Sequence, residues 1–401
     1  MNSAKKVLFV HYGGDWIRGS ERCLIDLITH IDRRAFTPQV WTNNESLKTE
    51  IAKLGVHCEV TPFPLLLGWQ APRFNVFAWK RLVNQARDII QSEHIDLIHV
   101  NSAAPCQWMC HAAKLENVAL VTQLHSDYPA RDRLTLGIHN SPHIIAVSDA
   151  ITGHLRKDGY PNEQLSVIHN GIDIERLSAQ TAIDSKAQLG IANDDFLFVT
   201  VGSLIHRKGI DRILTALKNI LRQSNNVHLL VIGEGNLRQT LEQTADRLNI
   251  TEQVHFVGEK VNVLGWLQGC DAYVSAARSE AFGLVFMEAA LAELPIVAPF
   301  EGGIKEILTH DETAILYENK GIKPLYDAML RVIKHQSLAD FIACSAKETA
   351  LSHHTVTETT QRIEQIYWQV LQNPRPVKAS WWRTTSPIRT YVTNRLAFSS
   401  S

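Results

Sequence analysis

The chain has little of what marks several protein classes. Its six cysteines, Cys23, Cys58, Cys106, Cys110, Cys270 and Cys344, are scattered, with no Cys-x-x-Cys pair among them. That spacing gives no disulfide framework and implies free thiols in a reducing compartment. Charge of one sign is missing too: 40 Lys and Arg against 41 Asp and Glu leave a net charge of -1. A dedicated nucleic-acid binder would carry a basic excess. No apolar run approaches the ~18 residues that span a bilayer. The start, Met1 to Val10, has only four apolar residues before His11, too few for a secretory leader, and reads as a first strand. There is no Asp-x-Asp, and no Gly-x-Gly-x-x-Gly opens a helix after that strand, which argues against a nucleotide-dependent dehydrogenase.

What is present fits a large α/β protein. The 401 residues, 45% hydrophobic, are enough for two ordinary domains. Strands are expected at Val7–Val10, Thr37–Trp41, Ile95–Val100, Ala119–Leu124 and His143–Val147 in the first half. In the second half they are expected at Phe196–Gly202, Val227–Ile232, Val254–Val257 and Asp271–Ser275. Helical patterns alternate with them, which predicts parallel, doubly wound sheets. Ligands then bind outside the carboxyl ends of the strands.

The stretch from Ser279 to Glu288 carries the most chemistry. Glu280 and Glu288 stand eight positions apart, with Phe282-Gly283 between them. Gly283, Met287, Ala290, Leu291 and Leu294 recur at helical spacing, so a buried helix is expected, stopped by Pro295. Amides of its first turn, at Phe282, Gly283 and Leu284, suit an anion. At ~1.5 Å rise per residue the carboxylates lie about 12 Å apart. That is the reach from a hexose, past a diphosphate, to a ribose. Earlier, His11 to Ser20 forms a polar loop after the first strand, ahead of a helix with Ser20 as expected N-cap. Strand, glycine loop, helix is an arrangement that brings backbone amides close to a phosphate. Ser203 to Lys208 follows a strand and precedes an amphipathic helix. Arg207 and Lys208 at a helix start oppose the helix dipole unless an anion lies between them and the amides.

These phrases resemble the retaining glycosyltransferases of family 4, which have the GT-B fold. The resemblance rests on Ser-Glu-x-Phe-Gly-Leu-x-x-x-Glu-Ala at 279–289, Glu301 to Ile307, Gly-Ser-Glu-Arg-x-Leu-x-Asp-Leu from Gly19, Gly-Ser-Leu-x-x-Arg-Lys-Gly from Gly202, and Val167 to Asp173. It covers most of the chain to about residue 355. It implies two doubly wound, Rossmann-like domains facing across a cleft: 1–180 for the acceptor and 181–355 for a nucleotide-sugar. A helix, 356–373, would cross back to the first domain, ahead of a basic tail, 374–401.

By resemblance, Glu280, His125, Lys208 and Arg207 are the catalytic candidates. Gly19, Ser203, Arg207, Lys208, Glu280, Phe282, Gly283, Leu284 and Glu288 form the donor set. Arg207 and Lys208 would stabilise the departing diphosphate, Glu288 would hold the ribose, and Glu280 and His125 would touch the sugar. Two departures stand out: Arg18 replaces the first glycine of the family's glycine pair, and Ser203 replaces an arginine. Ser148 and Asn170 read as structural. No cofactor and no metal are expected. The partners would be a nucleotide-sugar donor and a glycan or lipid-linked acceptor, with no nucleic acid.

A cytoplasmic enzyme of polysaccharide, lipopolysaccharide or glycolipid synthesis is expected. The competing readings are a nucleotide-sugar epimerase and a non-catalytic nucleotide-sugar-binding protein. Pro62 to Trp79 mixes Leu67, Trp69, Phe74 and Phe77 with Lys80 and Arg81. It reads either as a loop and core helix or as a peripheral contact with the inner face of the membrane. The tail, with Trp381-Trp382 and five arginines and lysines, offers the same pair of readings.

Overall fold

A computed structural model describes residues 3–69 and 74–374, together with Thr385 and Ile388. The described residues divide into two compact units. One runs to Asn170 and resumes at Val356; the other is Gly171–Thr355.

The first unit holds seven strands: β1 Lys5–His11, β2 Phe36–Thr42, β3 Cys58–Val60, β4 Leu97–Asn101, β5 Ala119–Leu124, β6 Ile144–Ala146 and β7 Leu165–Val167. Their order is β3-β2-β1-β4-β5-β6-β7, and every pairing is parallel. The central strands are buried on both faces, which is why Val7 to Val10 reads as an unbroken apolar run and Leu97 to Val100 is apolar apart from His99. The order reverses between β1 and β4, the place where such sheets open a crevice.

The second unit repeats the plan with six strands: β8 Phe196–Val201, β9 Val227–Ile232, β10 Val254–Gly258, β11 Ala272–Val274, β12 Ile296–Pro299 and β13 Ile315–Tyr317. The order is β10-β9-β8-β11-β12-β13, again parallel, with its reversal between β8 and β11. Helix Ile210–Ile220 places Ile213, Leu214 and Leu217 in the core of this unit. Two parallel doubly wound units in succession make the GT-B fold.

The chain leaves the first unit ten residues before the expected boundary at 180. The reason is local. Ile172 donates its N–H to the carbonyl of His354 and bridges to Thr355, so both crossings of the chain are tied into the second unit there. Helix Val356–Gln372 then completes the core of the first unit. Tyr367 is buried, its ring edge-on to Phe36 at 5.4 Å and its hydroxyl 2.7 Å from Nδ1 of His99. Four short strands, β3, β7, β12 and β13, have no periodic signature and went unpredicted. The expected tail lies outside the described residues apart from Pro374, Thr385 and Ile388.

Candidate active site

In the second unit the site grows from the loops after β8 and β11. The chain leaving β8 makes a single 3-10 turn, His206–Lys208, before helix Ile210–Ile220. Gly209 joins the two with φ +68°, and a Cβ there would collide with the carbonyl of Ala276. The turn is thereby pressed against the segment leaving β11. Arg278 staples that contact. Its N–H donates to the carbonyl of Arg207 at 2.8 Å. Its guanidinium donates to the carbonyl of His206 at 2.7 Å and to both oxygens of Asp211 at 2.9 and 2.6 Å. Arg212 and Asn319 add bonds to the carbonyls of Ala276 and Ala277.

This scaffold brings three predicted residues together. Lys208 Nζ donates to Glu280 Oε2 at 2.6 Å, and Arg207 donates to Glu280 Oε1 at 3.3 Å and to the Ser279 carbonyl at 3.0 Å. Glu280 is 8% exposed. Burial alone would raise its pKa; Lys208 and then Arg207 more than offset that and hold it below the ordinary value. The backbone of Glu280 is fixed as well. Its carbonyl accepts the N–H of Gly303 at 2.9 Å, and a Cβ on Gly302 would strike that same carbonyl.

Gly283, at φ +89°, is the N-cap of helix Leu284–Leu291, three residues shorter at its end than the apolar pattern to Leu294 implied. Phe282 is buried, its ring 6.1 Å from that of His354. Leu284 opens the helix and Glu288 lies in its second turn, half-buried. Burial, then Glu280 and Glu288, push the Tyr273 hydroxyl pKa up, so both carboxylates act on the one phenol in β11. A small cavity is lined by Gly202, Lys208, Tyr273, Ser275, Glu280 and Val285. Ser203, half-buried, follows Gly202 beside it.

The first unit carries a second constellation at the ends of β1, β4 and β5. His11 Nε2 lies 2.9 Å from Glu21 Oε1, and its Nδ1 2.8 Å from the Asn101 carbonyl. Asn101 Oδ1 accepts from His125 Nε2 at 2.8 Å, and its Nδ2 donates to the Ser20 carbonyl at 3.2 Å. His11, Glu21 and Asn101 are buried and His125 half-buried. Burial, and next the neighbouring His11, push the His125 pKa down to about 4, against a smaller opposing pull from Glu21. His125 is therefore neutral at pH 7. Burial would raise the Glu21 pKa, but hydrogen bonds and charge from His11 and the Arg18 N–H keep it low.

Helix Gly19–His30 begins at Gly19 with Arg18 as N-cap, which corrects the expectation that Ser20 caps it. Glu21 takes the capping role: its Oε2 accepts the Arg18 N–H at 3.1 Å and the Ser20 hydroxyl at 3.2 Å. Gly19 is exposed, with nothing within 4 Å of where a side chain would start.

His11, Glu21 and Asn101 went unselected in the sequence. Their signal was available: His11 and Asn101, like His125, are polar residues ending or just following apolar parallel strands. Arg278 and Asp211 left none, because their pairing spans 67 positions. In the 62–79 region, Phe63 is buried against Trp41 and Trp108, while Phe74 and Phe77 are 73% and 82% exposed. Trp79 donates to the Gln107 carbonyl. Among the described residues no helix is long and apolar enough to cross a membrane, and no group of three or more His, Cys, Asp or Glu could hold a metal ion.

Two family models tile the chain. Residues 182–349 match the glycosyl transferases group 1 and residues 17–176 match Glycosyltransferase Family 4. The chain belongs to this family of GT-B enzymes and is a glycosyltransferase. It is 24% identical to the N-acetyl-alpha-D-glucosaminyl L-malate synthase of Bacillus anthracis, over 73% of this chain and 80% of that one. It is 23% identical to the lipopolysaccharide core biosynthesis glycosyltransferase LpsD of Rhizobium meliloti (strain 1021), over 86% and 92%. Among solved structures, Anabaena HepE in complex with UDP and glucose superposes with a TM-score of 0.78 at 24% identity, covering 91% of this chain and all of that one.

Proposed function

We propose that this glycosyltransferase moves a sugar from a nucleoside-diphosphate donor to an acceptor hydroxyl, with retention at the anomeric carbon. The observation that carries this reading is the cluster of Lys208, Arg207 and Glu280 at the ends of β8 and β11. Two cations and a carboxylate at a strand reversal suit a diphosphate next to a hydroxylated ring. Lys208 and Arg207 would neutralise the diphosphate as it departs. Glu280 would accept hydrogen bonds from the donor sugar and Glu288 from the ribose. The amides at Phe282, Gly283 and Leu284 would support the phosphates, with Ser203 beside them. The arginine missing at 203 is made good by Arg207, whose side chain is 44% exposed.

In this reading Glu280 is not a nucleophile, since it is occupied by hydrogen bonds from the hydroxyls of the donor sugar. The bond from the anomeric carbon to the phosphate oxygen breaks as the acceptor oxygen attacks from the same face. The acceptor proton passes to the departing phosphate oxygen. His125, held neutral and oriented by Asn101, would bind a sugar hydroxyl, and Gly19 would offer its exposed backbone to a phosphate. No metal is required, because the two cations supply the charge. Relatives named for lipopolysaccharide core and for phosphatidylinositol mannoside synthesis support a glycan or lipid-linked acceptor in envelope synthesis. The exposed Phe74 and Phe77 support a peripheral membrane contact.

Thermal midpoints measured with UDP, GDP and ADP identify the donor base, since a ligand of the folded state raises the midpoint. Lys208→Ala should abolish the shift and slow transfer by about 10²–10³-fold. Transfer within a few-fold of wild type would refute the phosphate assignment. NMR of the product anomer tests retention; an inverted product would end that part of the proposal.

A further inference from the structure

Lys208 and Arg207, read above as the diphosphate's cations, are engaged with Glu280, read above as the sugar's carboxylate. Lys208 Nζ holds one oxygen of Glu280 at 2.6 Å and Arg207 the other at 3.3 Å. The Glu280 side chain is 9% exposed and the Lys208 side chain 19%, so water screens their contact poorly. A diphosphate reaching these cations must take donors from Glu280 or share them beside a third negative charge. A buried carboxylate deprived of its cations is costly unless other donors replace them. The backbone of Glu280 is fixed at this point: its carbonyl is held by the Gly303 N–H, Gly302 packs against it, and Arg278 staples the turn that carries Arg207 and Lys208.

We propose that Glu280 is a displaceable counter-ion that makes the site prefer an intact nucleotide-sugar to the spent nucleoside diphosphate. This rests on the diphosphate reading given above. With the intact donor, the phosphates take Lys208 and Arg207, and the sugar hydroxyls donate to Glu280 in their place. Transfer removes those hydroxyls from the carboxylate. Glu280 then reclaims Lys208 and loosens the product. One side chain thus reads the sugar and helps to expel the diphosphate.

The test uses inorganic pyrophosphate, the chemistry common to all nucleoside diphosphates, and UDP, titrated calorimetrically at fixed ionic strength. Glu280→Gln removes the competing charge and should tighten pyrophosphate about tenfold, while Lys208→Ala should weaken it. Should Glu280→Gln unfold, Glu280→Asp, with its shorter reach to Lys208, should shift affinity the same way by less. Unchanged or weaker pyrophosphate binding in the folded Glu280 variant overturns the counter-ion role. If Lys208→Ala still weakens binding in that case, the diphosphate reading survives. Pyrophosphate binding indifferent to Lys208→Ala sinks both.

Discussion

The two units place their reactive side chains at equivalent points, beyond the carboxyl ends of parallel strands where the strand order reverses. They fill that point with different chemistry. In the first unit His11, Asn101 and His125 form a chain of hydrogen bonds backed by Glu21, and His125 stays uncharged. In the second, Lys208 and Arg207 confront Glu280 as full charges. The difference shows that topology fixes where a ligand can bind, while the strand-end residues decide what kind it is. A buried network of donors and acceptors suits hydroxyls; a cluster with two cations suits a phosphate.

The division of labour can be broken at several points. His125→Ala should slow transfer about a hundredfold while leaving pyrophosphate affinity, measured by calorimetry, unchanged. A parallel loss of pyrophosphate binding would mean that the His125 site also serves the phosphate. Arg278→Ala should lower kcat about tenfold by misplacing the turn that carries Arg207 and Lys208. The double exchange Arg278→Asp with Asp211→Arg should recover part of it, whereas a merely packing role predicts no recovery.

Higher ionic strength should weaken pyrophosphate binding several-fold in a titration series. The acceptor KM in steady-state assays should move less, since the one carboxylate of the first unit's cluster, Glu21, is buried against His11, out of reach of salt. Acid separates the units most gently. Unfolded histidine takes up its proton near 6.5, but His125 in the fold waits until about 4 and His99 until about 3. The unfolded chain therefore binds more protons as pH falls from 6.5 towards 4, and stability declines over that window. Calorimetric midpoints followed through it should drop, and His125→Gln should flatten part of the slope.

The sequence made much of this visible, for physical reasons. Buried parallel strands such as β5 and β9 are mainly apolar, interrupted by Thr122 and Gln123 in one and by His228 in the other, and their limits were read correctly from residue identity. Lys208 and Glu280 were each recognisable from the family phrase that holds them, but their contact with one another was not foreseen. Short strands such as β3 and β13 have three residues apiece, too few for any period to register. The Arg278–Asp211 staple and the Asn101 bridge were hidden because they form only when distant loops converge. Glu21 was overlooked because a glutamate in a first helical turn looks like simple dipole compensation, until the buried His11 beside it is seen.

The place of helix Val356–Gln372 has a consequence for how the protein is made. Phe36 and His99 wait for Tyr367, more than 260 positions after His99, before their core is closed. On a ribosome the unit begun first must therefore be finished last, after Gly171–Thr355 has emerged and had time to fold. A fragment ending at residue 170 should leave that apolar surface open and bind a dye such as ANS, and adding the 356–372 peptide in trans should quench the signal.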